Sequence, residues 1–262
     1  MRSTSLLGLF SLLLVTACVG SDDGSGSGDA STDGPSTDGP STGDGDGPDE
    51  GGEASYGEVF EGGEYHLGPV DWAESEWTNA CGPYPAEIQA LEGVLLAGVE
   101  ASHSSSGELC DACIRVDADN GNSAILRVVT YGQTTPNSID VSPEAYALLD
   151  EGEYPRAMTW QLTKCPDTGR LRYQFQTGAH EWWSSLWIRN PRIAVAKVEV
   201  VSANHAEWFE LTRAGDGTFT DAGGFGAGEF TLRVTAIDGQ TVEDSFASFP
   251  TGAVIESSSQ FE

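Results

Sequence analysis

The sequence predicts an all-β protein with two folded domains, a barrel held by disulfides and a β-sandwich without cysteines. From Tyr56 onward, short runs of alternating apolar and polar residues are separated by Gly, Asn and Asp, the pattern of half-buried strands joined by tight turns. All four cysteines of this region precede Pro166. Because only its first part carries cysteines, we expect the region to divide into two domains.

Residues 1–17 are predicted to be a lipoprotein signal peptide. Arg2 is followed by an apolar run over residues 6–15, which is too short to span a bilayer. The run ends in Val15-Thr16-Ala17-Cys18, which resembles the lipobox of bacterial lipoproteins and predicts lipid on Cys18. Without Cys18 the five cysteines become an even set, as expected in an oxidising compartment. An ordinary signal peptide with an incidental cysteine is the alternative.

This interpretation places the protein in the outer membrane as a lipoprotein, or at the surface or outside of a bacterial cell. Residues 18–55 are predicted to be a disordered acidic tether, since they include a repeated STDGP unit and, after Cys18, no Lys or Arg. Such a segment buries too little apolar surface to offset the entropy of ordering, and its charges keep it extended. We expect contact with the membrane only through the lipid.

The net charge of −29 limits the partners of the chain. Nucleic acid, anionic membranes and acidic polysaccharides are disfavoured, because binding to them depends on basic side chains that displace counterions. A neutral ligand, recognised by stacking and hydrogen bonds, fits this charge better.

A hairpin and a single helix stand out in the barrel region, residues 56–168. The stretch ACIRVDADNGNSAILRVVTYG has two strand-like runs joined by DNGN, a strong hairpin signal. The stretch SPEAYALLDEG predicts a helix with Ser142 as N-cap, Pro143 in its first turn and Gly152 as its stop.

Residues 169–262 are predicted to contain strands only. In FTLRVTAIDGQTVEDSF, Phe230, Leu232 and Val234 alternate with polar residues before a turn at Asp238-Gly239. An earlier stretch, HEWWSSLWIRNP, holds three of the seven tryptophans of the chain, Trp182, Trp183 and Trp187. Neighbouring strand residues point to opposite faces, so a core rarely needs two adjacent indoles.

Several of these segments resemble those of the expansin family, in particular its bacterial members. NSIDVSPEAYALL is similar to a family segment with Asp followed by Ser and a helix, and TGAHEWWSSLWIRN to the family's paired-aromatic segment. The C-terminal QFE resembles the usual C-terminal ending of the family. The cysteine segments NACG and LCDAC resemble those of its plant members more closely than those of its bacterial members. The resemblance covers about residues 57–262, with both main segments in the family order.

The resemblance implies a six-stranded double-psi β-barrel over 56–168 and an immunoglobulin-like carbohydrate-binding module over 169–262. It also implies the disulfides Cys81–Cys110 and Cys113–Cys165. From the residues alone, CDAC at 110–113 could be a redox or zinc site, although it lacks a second cysteine pair or nearby histidines to complete a tetrahedron. We expect no metal and no cofactor.

In function, the resemblance implies a monomer that binds cellulose or a related neutral β-glucan and loosens it without hydrolysis, with Asp140 as the key acid. The strand before Asp140 carries Thr130, Tyr131 and Gln133 but no second carboxylate, and Tyr65 stands where the family commonly has threonine. Tyr131 and Tyr65 are predicted to line the groove or to pack. The alternative for Asp140 is to cap the following helix.

Trp182 and Trp183 match the adjacent aromatics of the family's binding platform. The third aromatic is replaced by Asp216, so we expect Trp187 to complete the platform on a face shared with Trp183 and Ser185. The alternative is that Trp187 packs between the domains.

Two other functions stay open. One is a lytic glycanase or transglycosylase on β-glucan or peptidoglycan with Asp140 as acid, and the other an inactive carbohydrate adhesin.

Overall fold

The first part of the chain forms a closed six-stranded barrel. The computed structural model describes residues 55–68, 79–84, 95–104, 106–132, 135–150 and 156–262. The predicted signal peptide, Cys18, Gln133 and the tether up to residue 54 lie outside these ranges. The described residues belong to one compact unit. None of their helices is long and apolar enough to cross a membrane.

The barrel has the strand order β1-β5-β2-β4-β3-β6. Its strands are β1 (Ser55–Leu67), β2 (Leu96–Glu100), β3 (Cys113–Ala118), β4 (Ser123–Gly132), β5 (Ile139–Val141) and β6 (Ala157–Thr163). The pairs β1/β5 and β2/β4 are parallel and the others antiparallel. The predicted hairpin is β3–β4.

One short helix, α1 (Pro143–Leu149), follows β5 where the sequence predicts it. It ends before the predicted stop at Gly152. Ser142 is the N-cap residue, but its hydroxyl makes no capping bond. Instead, Ser142 Oγ accepts a hydrogen bond from Leu96 N at 3.2 Å. The start of the helix is thereby tied to β2 of the barrel.

Two packed sheets form the second part of the chain. Their strands are β7 (Arg172–Phe175), β8 (Ser184–Arg189), β9 (Val195–Val201), β10 (Phe209–Glu210), β11 (Thr212–Arg213), β12 (Phe219–Asp221), β13 (Phe230–Ala236), β14 (Thr241–Phe246) and β15 (Val254–Glu256). One sheet has the order β10-β9-β13-β14 and the other β11-β12-β8-β7-β15. The alternation in β13 places Phe230, Leu232 and Val234 in the shared core. The predicted all-β fold, a double-psi barrel followed by an immunoglobulin-like sandwich, is confirmed.

Both disulfides have the pairing implied by the family resemblance. Cys81–Cys110 has a Cα separation of 5.4 Å and Cys113–Cys165 one of 5.2 Å. The three cysteines of NACG and CDAC and the more distant Cys165 are therefore all paired in structural disulfides, which excludes the redox and zinc interpretations of CDAC.

A buried ion pair joins the barrel to the sandwich. Arg189, at the end of β8, donates from Nη1 to Asp111 Oδ2 at 2.6 Å, and both side chains are almost completely buried. The guanidinium lies over the ring of Tyr84 at 4.2 Å. Arg127 of β4 donates to Asp111 O at 2.8 Å and to Asn190 Oδ1 at 3.1 Å. The IRN part of the tryptophan-rich segment thus anchors the two folded parts to each other.

Candidate functional site

Trp182 and Trp183 are exposed at a tight turn at the edge of the sandwich. His180 and Trp183 exchange backbone hydrogen bonds of 2.9 and 3.0 Å, so Glu181 and Trp182 form the tip. Trp182 is 58 % exposed and Trp183 37 %. The tight turn, rather than a regular strand, is what leaves both adjacent indoles accessible.

A loop after β12 supports this turn from behind. Gly226 N donates to Glu181 O at 2.8 Å. Gly224 has φ +71°, and a Cβ there would lie 2.3 Å from Glu181 O. The close approach therefore requires glycine at position 224. The turn that presents the tryptophans is consequently held in one position by the backbone beneath it.

Trp183 also borders an open depression of about 620 Å³ on the face of the five-stranded sheet. Ser185 and Thr220 lie on adjacent strands, and their hydroxyls are hydrogen-bonded at 2.7 Å. The lining residues are Gln176, Trp183, Ser185, Thr212, Ala214, Gly215, Asp216, Thr218, Thr220 and Ala222. The depression combines one aromatic residue with a mostly neutral, hydroxyl-rich lining.

The prediction that Trp187 completes an exposed platform is wrong. Leu186 and Ile188 do face the core, as expected, but Trp187 is only 6 % exposed. Its indole lies against Gly82 of the barrel, where a Cβ would be 2.6 Å from the ring, and its Nε1 donates to Asp216 O at 2.9 Å. Trp187 is an interdomain contact, which was the alternative.

Gly82→Ala is expected to lower the free energy of unfolding by about 1–3 kcal/mol, because the added methyl group collides with the Trp187 ring. Gly121→Ala is a matched control, since Gly121 also has positive φ but has open space around the added atom. Chemical denaturation of both variants measures the difference. If both variants lost the same free energy of unfolding, the loss in Gly82→Ala would come from backbone strain alone and not from the collision with Trp187.

Asp140 lies on the outer face of the barrel. Its ladder partners are His66 on β1 and Gly98 on β2, so an imidazole flanks it on one side and no side chain on the other. Burial raises the pKa of the Asp140 carboxyl, and the nearby His66 partly opposes this shift. Among the described residues no side chain or backbone N–H binds this carboxyl, so Asp140 does not cap α1.

The groove-lining position expected for Tyr65 is also wrong. Tyr65 is 2 % exposed, and its hydroxyl donates to Leu149 O inside the barrel at 3.1 Å. Because His66 pairs with Asp140, strand alternation places Glu64 and His66 on the outer face instead. The sequence interpretation missed both, since the choice between odd and even positions of β1 depends on its register with β5.

Tyr131 contacts the sandwich. Its hydroxyl donates to Gly215 O at 2.6 Å, and its ring packs on the barrel core and on the small cluster around Cys81. The role of Tyr131 in polysaccharide binding stays a prediction. Its hydroxyl is already hydrogen-bonded across the contact between the barrel and the sandwich.

A second carboxylate absent from the sequence interpretation lies on β2, the strand whose Gly98 pairs with Asp140. Glu100 follows Gly98 by two residues on β2 and therefore shares its face. Such diagonal neighbours have Cα atoms about 7–8 Å apart. The Glu100 carboxylate accepts hydrogen bonds from Ser102 N and Ser102 Oγ, which lower its pKa. Within the described ranges, no group of three His, Cys, Asp or Glu residues is arranged to hold a metal ion.

Comparison with known proteins finds expansins among the proteins that this chain is similar to. Expansin-YoaJ of Bacillus subtilis (strain 168) is 23 % identical over 194 residues, which cover 73 % of this chain and 75 % of that protein. Expansin-like protein 6 of Dictyostelium discoideum is 24 % identical over 166 residues. These cover 59 % of this chain and 56 % of the length of that protein. No protein-family model matches the chain.

The solved structures agree with the sequence relatives. The expansin of Clavibacter michiganensis superposes with a TM-score of 0.64 at 18 % identity, over 78 % of this chain and 98 % of that one. A mutant of the same expansin, crystallised with cellohexaose, gives the same TM-score and coverage at 17 % identity. In sequence and in fold, therefore, the chain is similar to expansins.

Proposed function

We propose that the protein binds neutral β-glucan of plant-type cell walls, cellulose included, through Trp182 and Trp183. The observation that carries the proposal is that Trp182 is the most exposed large apolar side chain of the described residues, with Trp183 beside it on a supported turn. Flat indoles stack on the apolar faces of sugar rings, and the strongly acidic chain favours a neutral ligand. A related expansin was crystallised with cellohexaose, which supports this ligand class.

The proposal extends to loosening of the glucan by the barrel, without hydrolysis and with Asp140 as the key acid. Hydrolysis needs two carboxyl groups that flank the scissile bond. The ladder partners of Asp140 are His66 and Gly98, so no carboxylate stands directly beside it on either neighbouring strand. In addition, Glu100 is already hydrogen-bonded to Ser102. A lone acid with a raised pKa can exchange hydrogen bonds with glycan oxygens but cannot activate water from the opposite side.

A lytic enzyme on β-glucan or peptidoglycan is the second candidate, because Glu100 supplies a second carboxylate on β2, the strand that pairs with Asp140. An adhesin with an inactive barrel is the third. The proposed cellular place is the bacterial surface, through lipid on Cys18.

Asp140→Asn is expected to abolish the weakening of cellulose networks in an extensometer while leaving glucan binding nearly unchanged, because the tryptophans lie on the sandwich. Glucans and peptidoglycan incubated with the wild type should release no reducing ends or anhydro-muropeptides. Release that is lost in Asp140→Asn and Glu100→Gln would establish the lytic enzyme instead. Equal loss of binding and weakening would make Asp140 structural, and binding without any weakening by the wild type would favour the adhesin.

The pH dependence of stability is a control for folding of this variant. A raised carboxyl pKa favours the folded state while Asp140 is protonated, and this contribution is lost as pH rises through the folded-state pKa. Asp140→Asn should therefore be at least as stable as the wild type at neutral pH. The difference should disappear below about pH 4, where both side chains are neutral. If Asp140→Asn were less stable than the wild type at neutral pH, the Asp140 carboxyl would not be in the partly buried environment that raises its pKa.

A further inference from the structure

We infer that Asn204, His205 and Asp221 are positioning residues for the turn that presents Trp182 and Trp183. They act through residues 222–226, the support loop, and not through contact with a glucan. The inference rests on the proposed function and concerns how the exposed tryptophans are held ready for a ligand.

The support loop is bonded to both sides of the tryptophan turn. Gly226 N donates to Glu181 O at 2.8 Å, at the tip of the turn. Phe225 N donates to Ser184 Oγ at 3.1 Å, and the same hydroxyl donates to His180 O at 3.1 Å. Ser184 is 0 % exposed, so water does not compete for these bonds. The position of the turn therefore depends on the conformation of the support loop.

The support loop has a flexible composition. Three of its five residues, Gly223, Gly224 and Gly226, are glycines, which lose more conformational freedom on ordering than any other residue. Gly224 and Gly226 both have positive φ, +71° and +79°. Because glycine itself favours no single conformation, side chains outside the loop must select the observed one.

Asp221 fixes the first half of the support loop. Its Oδ1 accepts a hydrogen bond from Gly223 N at 2.9 Å, and its backbone O accepts one from Gly224 N at 3.1 Å. Its Oδ2 accepts from His205 Nε2 at 2.7 Å, and the Asp221 side chain is only 6 % exposed. Removal of a buried partner of this kind leaves polar groups unsatisfied. The carboxylate thus joins the loop to His205.

Asn204 fixes the second half of the loop from the opposite sheet. Asn204 and His205 lie between β9 and β10 of the four-stranded sheet, whereas the support loop follows β12 of the five-stranded sheet. Asn204 Nδ2 donates to Gly224 O at 2.8 Å, and Asn204 N donates to Phe225 O at 3.2 Å. The tryptophan turn is therefore held by a chain of hydrogen bonds that begins on the other sheet.

A turn that is fixed before the glucan arrives gives a higher affinity. Ordering of side chains and loops on binding costs free energy, which a preorganised site avoids. Apparent affinity falls in proportion to the fraction of molecules whose turn is in the binding position. Asn204, His205 and Asp221 keep that fraction high without touching the sugar.

Asn204→Asp tests the inference, because aspartate has the same size but no N–H to donate to Gly224 O. Calorimetry with cellohexaose should show an affinity about fivefold lower than that of the wild type. Asp221→Ala should cause a similar loss, and the conservative Asp221→Asn should recover most of it. Asparagine at this position can still accept from Gly223 N and can donate to the other tautomer of His205.

Asp244→Ala is the matched control on the same sandwich. Asp244 accepts hydrogen bonds from the Tyr173 hydroxyl and from Ser258 N, both at 2.9 Å, and these partners lie on β7 and after β15. Its loss should lower the free energy of unfolding in urea but leave the affinity for cellohexaose unchanged. If Asn204→Asp gave the same result, Asn204 would have a structural role only and the inference would be wrong.

A double-mutant cycle with Trp182→Ala separates positioning from direct contact with the sugar. If Asn204 acts through the turn, Asn204→Asp should cost clearly less affinity once the Trp182 indole is absent. Equal costs in the two backgrounds would overturn the inference while leaving the proposed function intact. Absence of wild-type binding to both cellohexaose and cellulose would overturn the proposed function, and the inference with it.

Discussion

Replacing Asp111 with asparagine is expected to lower the free energy of unfolding by about 3–5 kcal/mol, because it leaves a buried guanidinium without its counter-charge. Arg189 is 0 % exposed and its shortest polar contact is to Asp111 Oδ2 at 2.6 Å. Arg127 is also buried, and this burial lowers its pKa while the charge of Asp111 opposes the shift. Denaturation by urea at neutral pH measures the loss.

Asparagine is the suitable replacement because Asp111 has φ +66°, a conformation that asparagine tolerates well. Asp117→Asn is the matched control, since its ion pair with Arg115 at 3.0 Å is partly exposed on the same barrel. That pair should contribute less than about 1 kcal/mol. Similar losses in the two variants would show that the interdomain pair is no more important than a surface pair.

Removing the Cys113–Cys165 disulfide, by Cys113→Ala with Cys165→Ala, is expected to cost about 4 kcal/mol. The two cysteines are 52 residues apart, and cross-linking a loop of this length lowers the entropy of the unfolded chain by about that amount. Thermal and urea unfolding of the oxidised protein and the double variant give the difference.

The other disulfide is the internal comparison. Cys81 and Cys110 are 29 residues apart, so the same chain-entropy argument gives a loss smaller by about 0.5 kcal/mol. If removing Cys113–Cys165 lowered the free energy of unfolding by less than about 1 kcal/mol, the cross-link would contribute little to stability. The noncovalent contacts of the folded state would then account for most of it.

Local patterns determined the β3–β4 hairpin, the β13–β14 hairpin and the helix α1. The DNGN segment gives the turn between β3 and β4, and Asp238-Gly239 gives the turn between β13 and β14, where Gly239 has φ +91°. Proline and the helix-forming residues after Ser142 give α1. These features depend on a few neighbouring residues, so the sequence contains the information for them. The disulfide pairing came from the family resemblance and not from the spacing.

The candidate site depended on contacts between distant segments. Alternation alone correctly placed Trp183, Ser185 and Trp187 on one face, but it carried no information that the barrel at Gly82 covers Trp187. Similarly, alternation in β1 leaves open which residues face outward. Pairing of His66 with Asp140, 74 positions later, decides that Tyr65 enters the core. The sequence by itself determined the β3–β4 and β13–β14 hairpins, the helix and the exposed pair Trp182–Trp183, because these depend on local periodicity and turns. Only the tertiary structure decided which outward faces remain accessible to a ligand, because the segments that cover them come from elsewhere in the chain.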